Sequence, residues 1–261
     1  MMKKLSVLIL FLCVSLGYAQ KSLKADFIKK TAADWSQFVG VDCFDALYFL
    51  ENKALYKKKG DNVLSYSNLQ FGGIDQVQIF NTLKIAVLHK AQNSVVLLDN
   101  RLAELFELNF NRISPVRLVN NIALSSDTTF WMFNALTLQL ELFDYETKRT
   151  KLATLPLNEQ VLALESDYNN VYALTPSYFF QFNYTGSLVQ KIKHKSFDGF
   201  SVLNDVLLFQ KNNELYYKYA DSDEFQILEI PKNLIKQFFV MNQTLYIYDG
   251  EFLHHYQLIK H

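Results

Sequence analysis

Side chains able to do chemistry near neutral pH are few in this sequence: five histidines, two cysteines and a scatter of acids. His254 and His255 are neighbours in a stretch patterned as a strand. Successive strand side chains point to opposite faces, so the pair does not converge on one metal ion. His89, His194 and His261 stand alone, without the spacing of a zinc-binding helix or a cysteine–histidine cluster. All five are expected at the surface or on a rim.

Cys43 has Asp42 before it and Phe44-Asp45 after it. A reactive thiol needs neighbouring positive charge, so Cys43 reads as a small core residue of the first apolar strand. There is no Gly-x-Ser-x-Gly turn for a nucleophilic serine. Gly72-Gly73 is a bare dipeptide where a tight turn is expected, not a phosphate loop. The acids of Asp221-Ser222-Asp223-Glu224 lack the spacing of a calcium loop and read as a solvated turn. The sequence thus assigns no catalytic, cofactor-binding or metal-ligating residue and implies no cofactor. The aromatic groups Tyr178-Phe179-Phe180, Phe182 and Tyr184, and Tyr216-Tyr217 with Tyr219, read chiefly as core. Lys57-Lys58-Lys59 and the lysines of 191–195 read as solvated faces.

Residues 1–19 set the expected compartment. They run from a basic start (Lys3, Lys4) through an apolar stretch at 5–16 to Gly17-Tyr18-Ala19 before Gln20, the order of a cleaved secretory signal peptide. The apolar stretch is about 12 residues, short of the roughly 20 that span a bilayer. Leu12 before Cys13 is wrong for a lipidation site. Export to the periplasm, cell surface or medium is expected, with residues 20–261 as one domain. Cleavage would leave Cys43 as the one cysteine, excluding an internal disulfide. It would also leave 24 basic against 26 acidic residues, a balance that does not attract nucleic acid. No other segment is apolar for long enough to span a membrane.

Short aromatic and β-branched runs separated by turns fill the rest of the chain. The strongest lie at 46–50, 85–89, 130–134, 171–175, 206–210 and 245–249, and each reads as a strand. Their starts are 39, 45, 41, 35 and 39 residues apart, a period near 40 that matches the blades of a propeller. With only eight glycines and four prolines, asparagine and aspartate carry the turns, as at Asn204-Asp205 and Asn212-Asn213. Each unit repeats an order of strand, turn, apolar strand, turn, then a third and often a fourth strand. The fold class is therefore all-β, a propeller of six blades with up to four antiparallel strands each. The inner strands should be the most apolar, since blades packed radially bury both faces. The last unit supplies three strands, at 238–241, 245–249 and 252–259. Residues 25–31 are expected to fill its vacant outer position and close the ring, with a short helix there as the alternative.

The unit length and the dipeptides Leu47-Tyr48, Val171-Tyr172 and Leu245-Tyr246 resemble the broad WD-repeat and quinoprotein-like superfamily of secreted β-propellers, over residues 25–259. That resemblance implies a fold and no active site. A lectin-like sandwich is the rival architecture. Sequence reading points first to a non-catalytic scaffold at the cell envelope that presents rim loops to a protein partner, itself a monomer outside that complex. The alternative is a small-ligand or glycan binder, or a hydrolase, with its site in the central funnel. There Asp42, Asp45, Asp127, Asp167, Asn204 and Asp205 could converge from equivalent turns.

Overall fold

The computed structural model describes residues 22–260 apart from Thr82, Lys195, Asp223, Lys232 and Asn233. The signal sequence expected at 1–19, Cys13 and His261 lie outside the described residues. Twenty-four strands and one turn of 3-10 helix, Lys90–Gln92, make up the regular structure described.

Six antiparallel sheets of four strands form a ring, a six-bladed β-propeller. Blade 1 comprises β2 (Gln37–Val41), β3 (Leu47–Glu51), β4 (Ala54–Lys59) and β5 (Asn62–Tyr66). Blade 2 comprises β6 (Gln76–Asn81), β7 (Lys84–His89), β8 (Ser94–Leu98) and β9 (Glu104–Asn109). Blade 3 comprises β10 (Val119–Leu124), β11 (Thr129–Asn134), β12 (Gln139–Asp144) and β13 (Arg149–Ala153). Blade 4 comprises β14 (Ala163–Ser166), β15 (Asn170–Leu174), β16 (Tyr178–Asn183) and β17 (Leu188–Lys193). Blade 5 comprises β18 (Gly199–Leu203), β19 (Val206–Lys211), β20 (Glu214–Tyr219) and β21 (Gln226–Ile227). Blade 6 takes β22 (Gln237–Met241), β23 (Thr244–Tyr248) and β24 (Phe252–Lys260) from the end of the chain and β1 (Leu23–Ala32) from its start. The expected closing strand is therefore present. It pairs antiparallel with β24 from Leu23 opposite Lys260 to Ala32 opposite Phe252, with a bulge between Phe27 and Lys29.

All six expected strands are the second strands of their blades, β3, β7, β11, β15, β19 and β23. Their burial follows from radial packing. In β7, Ile85 and Val87 face blade 1 while Ala86 and Leu88 face blade 3, so both faces are dry. Six apolar clusters result, each filling one junction between neighbouring blades, including the closing junction of blades 6 and 1.

The apolar runs at 47–50, 85–88 and 206–209 are largely buried, as expected, but their expected innermost position is corrected. The innermost strands are the first of each blade, and β14 and β22 are mostly half-buried whereas β11 is buried throughout. The physical reason is position: a second strand is covered by sheet on both edges and by blades on both faces, while a first strand borders the axial channel. Turns behave as expected, with Asn204 and Asn212 in the left-handed region at φ 52° and 54°.

Candidate functional site: the axial channel and its rim

The first strands stand side by side around the axis, each abutting the next, with β22 abutting β2. Each has one edge paired within its blade, so its other edge would expose main-chain polar groups. Side chains of other first strands satisfy part of that edge. Gln76 accepts from the Ile122 amide at 2.9 Å and donates to the Ile122 carbonyl at 3.0 Å. Gln78 donates to the Leu164 carbonyl at 3.2 Å, Ser166 to that of Leu124, and the Phe38 amide donates to Gln237 at 3.2 Å. These bonds tie the blades together at the axis and give the channel a polar wall.

Inside lies a cavity of about 800 Å³. Gln78, Glu165, Ser201 and Gln237 line its depth, and Tyr168, Asn204 and Asn242 line its mouth. Gln78 and Glu165 also border a smaller recess of about 230 Å³ that includes Asp75 and Lys90. Glu165 thus sits where the two meet. Glu165 is half-buried in the channel wall, where desolvation pushes its carboxyl up to about 8 against the lowering effect of one main-chain hydrogen bond from Val202.

Sequence reading missed Glu165. It lies in Leu164-Glu165-Ser166, which looks like any half-wet strand. The available signal was its place in the strand preceding the fourth core strand, a position that repeat alignment puts on the axis.

The six polar residues expected to converge in the funnel do not do so. Only Asp167 and Asn204 line the cavity. Asp42 is buried in its own turn, where it accepts from the Phe44 and Ala46 amides at 2.9 Å and from the Tyr48 hydroxyl at 3.1 Å. Asp167 repeats the device with the Asn169 and Asn170 amides and the Tyr172 hydroxyl at 2.8 Å. Asp45 and Asp127 are exposed on turns, and exposed Asp205 pairs with Lys260. Burial, then proximity of Asp42, hold the Tyr48 hydroxyl well above its usual range. Asp42 and Asp167 thus cap turns.

Two further expectations are corrected. Cys43 is exposed, because it belongs to the turn between β2 and β3 and not to either strand. The described histidines are not surface groups: His89, His194 and His254 are buried and His255 half-buried. His89 bonds the Gly73 carbonyl at 2.9 Å and His194 that of Thr175 at 3.0 Å, each tying down a connecting loop. His254 meets Asp249 at 2.7 Å. His255 on the other face of β24 is brought down to about 4 by burial, then by Lys29 and His254. Among the described residues no three His, Cys, Asp or Glu side chains gather as a metal site would require. Phe179, Phe180, Phe182, Tyr217 and Tyr219 are core, as read from sequence, while Tyr184 is exposed.

No family model and no curated protein matches the chain. Solved structures do. A virginiamycin B lyase from Staphylococcus aureus, crystallised with quinupristin in a catalytically inactive form, superposes with TM-score 0.60 at 8% identity, over 92% of this chain and 100% of the other. The WD40 domain of Neurospora crassa Pan2 gives 0.59 at 11% identity, over 85% and 74%. BamB from Moraxella catarrhalis gives 0.51 at 14% identity, over 82% and 70%. What they share with this chain is the propeller fold. At such identities the likeness carries no active-site residue across.

On the rim that carries the Tyr168 mouth, a second recess of about 370 Å³ opens between blades 2, 3 and 4, lined by Leu83, Lys84, Leu105, Tyr145 and Tyr168 among others. Leu83, Leu105 and Tyr168 are more than half exposed, at 68%, 53% and 67%. Phe106 lies against Tyr145 with ring centres 4.8 Å apart. Lys84 donates to the Ser125 and Asp127 carbonyls at 3.0 and 2.7 Å, and burial lowers its pKa. Its charge therefore closes the blade 3 turn instead of hydrating the patch.

Proposed function

We propose that this chain is an exported, non-catalytic propeller that binds a protein partner at the cell envelope through the rim of blades 2 to 4. The observation that carries the reading is the exposed patch of Leu83, Leu105, Phe106 and Tyr168 around a recess at the channel mouth. Leucines and tyrosines exposed together over a concave surface are what a protein interface buries. The opposite rim also exposes aliphatic residues, among them Leu69, Val116, Leu136 and Leu155, but the blade 2 to 4 rim adds the exposed aromatic rings of Phe106 and Tyr168. The neighbours BamB and the Pan2 WD40 domain are in keeping with a protein-interaction role. The basic, apolar and small-residue order of residues 1–19 supports export, and no helix among the described residues is long and apolar enough to cross a membrane. Outside its complex the chain acts as a monomer.

Site-specific photo-crosslinking in intact cells tests this. A crosslinking residue at Leu83 or Tyr168 should trap one protein of the envelope, while the same residue at Asn62, on an outer strand, should not. Equal trapping at all three positions, or none at the rim, overturns the proposal.

A further inference from the structure

We propose that the axial channel is a binding site for an organic cation, an alkylammonium or guanidinium group held by the carboxylate of Glu165. This inference does not depend on the rim interface, which centres on a different recess and shares only Tyr168 with the channel.

Three observations carry it. First, the cavity of about 800 Å³ falls in the range of small-ligand sites, roughly 300–1,000 Å³. Second, its described lining holds two carboxyl side chains, Glu165 and Asp167, and no lysine, arginine or histidine. Asp167 is committed to turn amides and the Tyr172 hydroxyl, which leaves Glu165 as the acid free to take a charged ligand. Third, Glu165 has one main-chain hydrogen bond, and among the described residues no cation is paired with it. Asp75 and Lys90 are the charged groups of the recess on its other side.

An acid held in the wall of a narrow channel has an unmet requirement: its charged form lacks a counter-ion. An entering ammonium or guanidinium supplies one. Glu165 then gives its proton to solvent, and the ion pair forms between walls that include Phe38 and Phe238, where low polarity strengthens it. The amide oxygen of Gln78 and the hydroxyl of Ser201 are placed along the channel to take remaining N–H donors.

The cation could be a free amine or a lysine side chain of a partner, and calorimetry on the full chain separates them. Putrescine, its neutral analogue 1,4-butanediol and a tetralysine peptide serve as probes, with Glu165→Gln as the variant. Putrescine should bind and butanediol should not. Binding should weaken about tenfold or more in the variant. Buffers of different ionisation enthalpy should report release of just under about one proton per putrescine at pH 7, which the variant abolishes. Tetralysine binding without putrescine binding, again lost in the variant, would support the same site with a partner lysine as its source. No binding of either amine, equal binding of butanediol, or unchanged affinity and proton release in Glu165→Gln would overturn it. Thermal unfolding of the variant confirms that any loss is not a failure to fold.

Discussion

Glu165 carries a stability consequence that needs no ligand. Its carboxyl is raised from an ordinary 4.5 to about 8, mainly by burial, so between those values the folded chain holds a proton that the unfolded chain releases. Stability must then fall as pH rises through that window, and the contribution levels off above about 8, where both states are ionised. Glu165→Gln keeps the shape and removes the titration. Its melting temperature should match the native protein near pH 5 and exceed it increasingly up to about pH 8, with a constant gap above that; parallel curves would show that Glu165 is hydrated and unshifted. At this scale the sequence was least legible. Asp42 and Asp167 looked available for a funnel site because aspartates in turns are common to both capping and catalysis, and only three-dimensional geometry shows which oxygens are taken. Cys43 was misread for a related reason: an apolar run around Val41 and Phe44 hides the one-residue boundary between strand and turn.

Strands were far more legible than sites, and unevenly so. Second strands such as β11 and β19 announce themselves through unbroken apolar runs, because both faces meet neighbouring blades. First strands are masked by the glutamines and serines that satisfy the axial edge, so Gln76, Gln78 and Ser166 make them resemble surface strands. Their packing nevertheless has tight points. A Cβ on Gly40 of β2 would lie 3.1 Å from the Phe239 ring of β22, which fills the junction of blades 1 and 6. Gly40→Val should therefore destabilise by about 1–3 kcal/mol through overpacking. Phe239→Ala, itself destabilising, should cost less in the Gly40→Val background than in the native one, because the valine occupies space the ring gives up. Denaturant titration of the two single variants and the double variant checks this, and strict additivity would mean that the ring swings clear without strain.

At the scale of the ring, the chain's two ends meet in one blade. Closure was readable from counting: five units supply four strands each, the sixth supplies three, and a sheet edge left bare in a ring is a liability. Which residues close it was read correctly but short, since β1 runs Leu23–Ala32 and begins three residues past the expected cleavage point before Gln20. Its hold goes beyond the ladder with β24. The Leu23 amide donates to the Tyr217 hydroxyl at 3.2 Å, and the Tyr219 hydroxyl donates to the Ser22 carbonyl at 3.2 Å, both tying β1 to blade 5. Leu23 also enters the cluster between blades 5 and 6. Removing β1 would leave β24, a nine-residue strand with Leu253, Tyr256 and Leu258 buried beside it, as an open edge. A chain starting at Ala33 should melt well below the full-length protein and self-associate through that edge, measurable by calorimetry and sedimentation. A peptide of residues 22–32 added in trans should restore the monomer by re-forming the strand. A truncated chain that stays monomeric and equally stable would mean that blades 1 to 5 and three strands of blade 6 hold the ring without its closing strand.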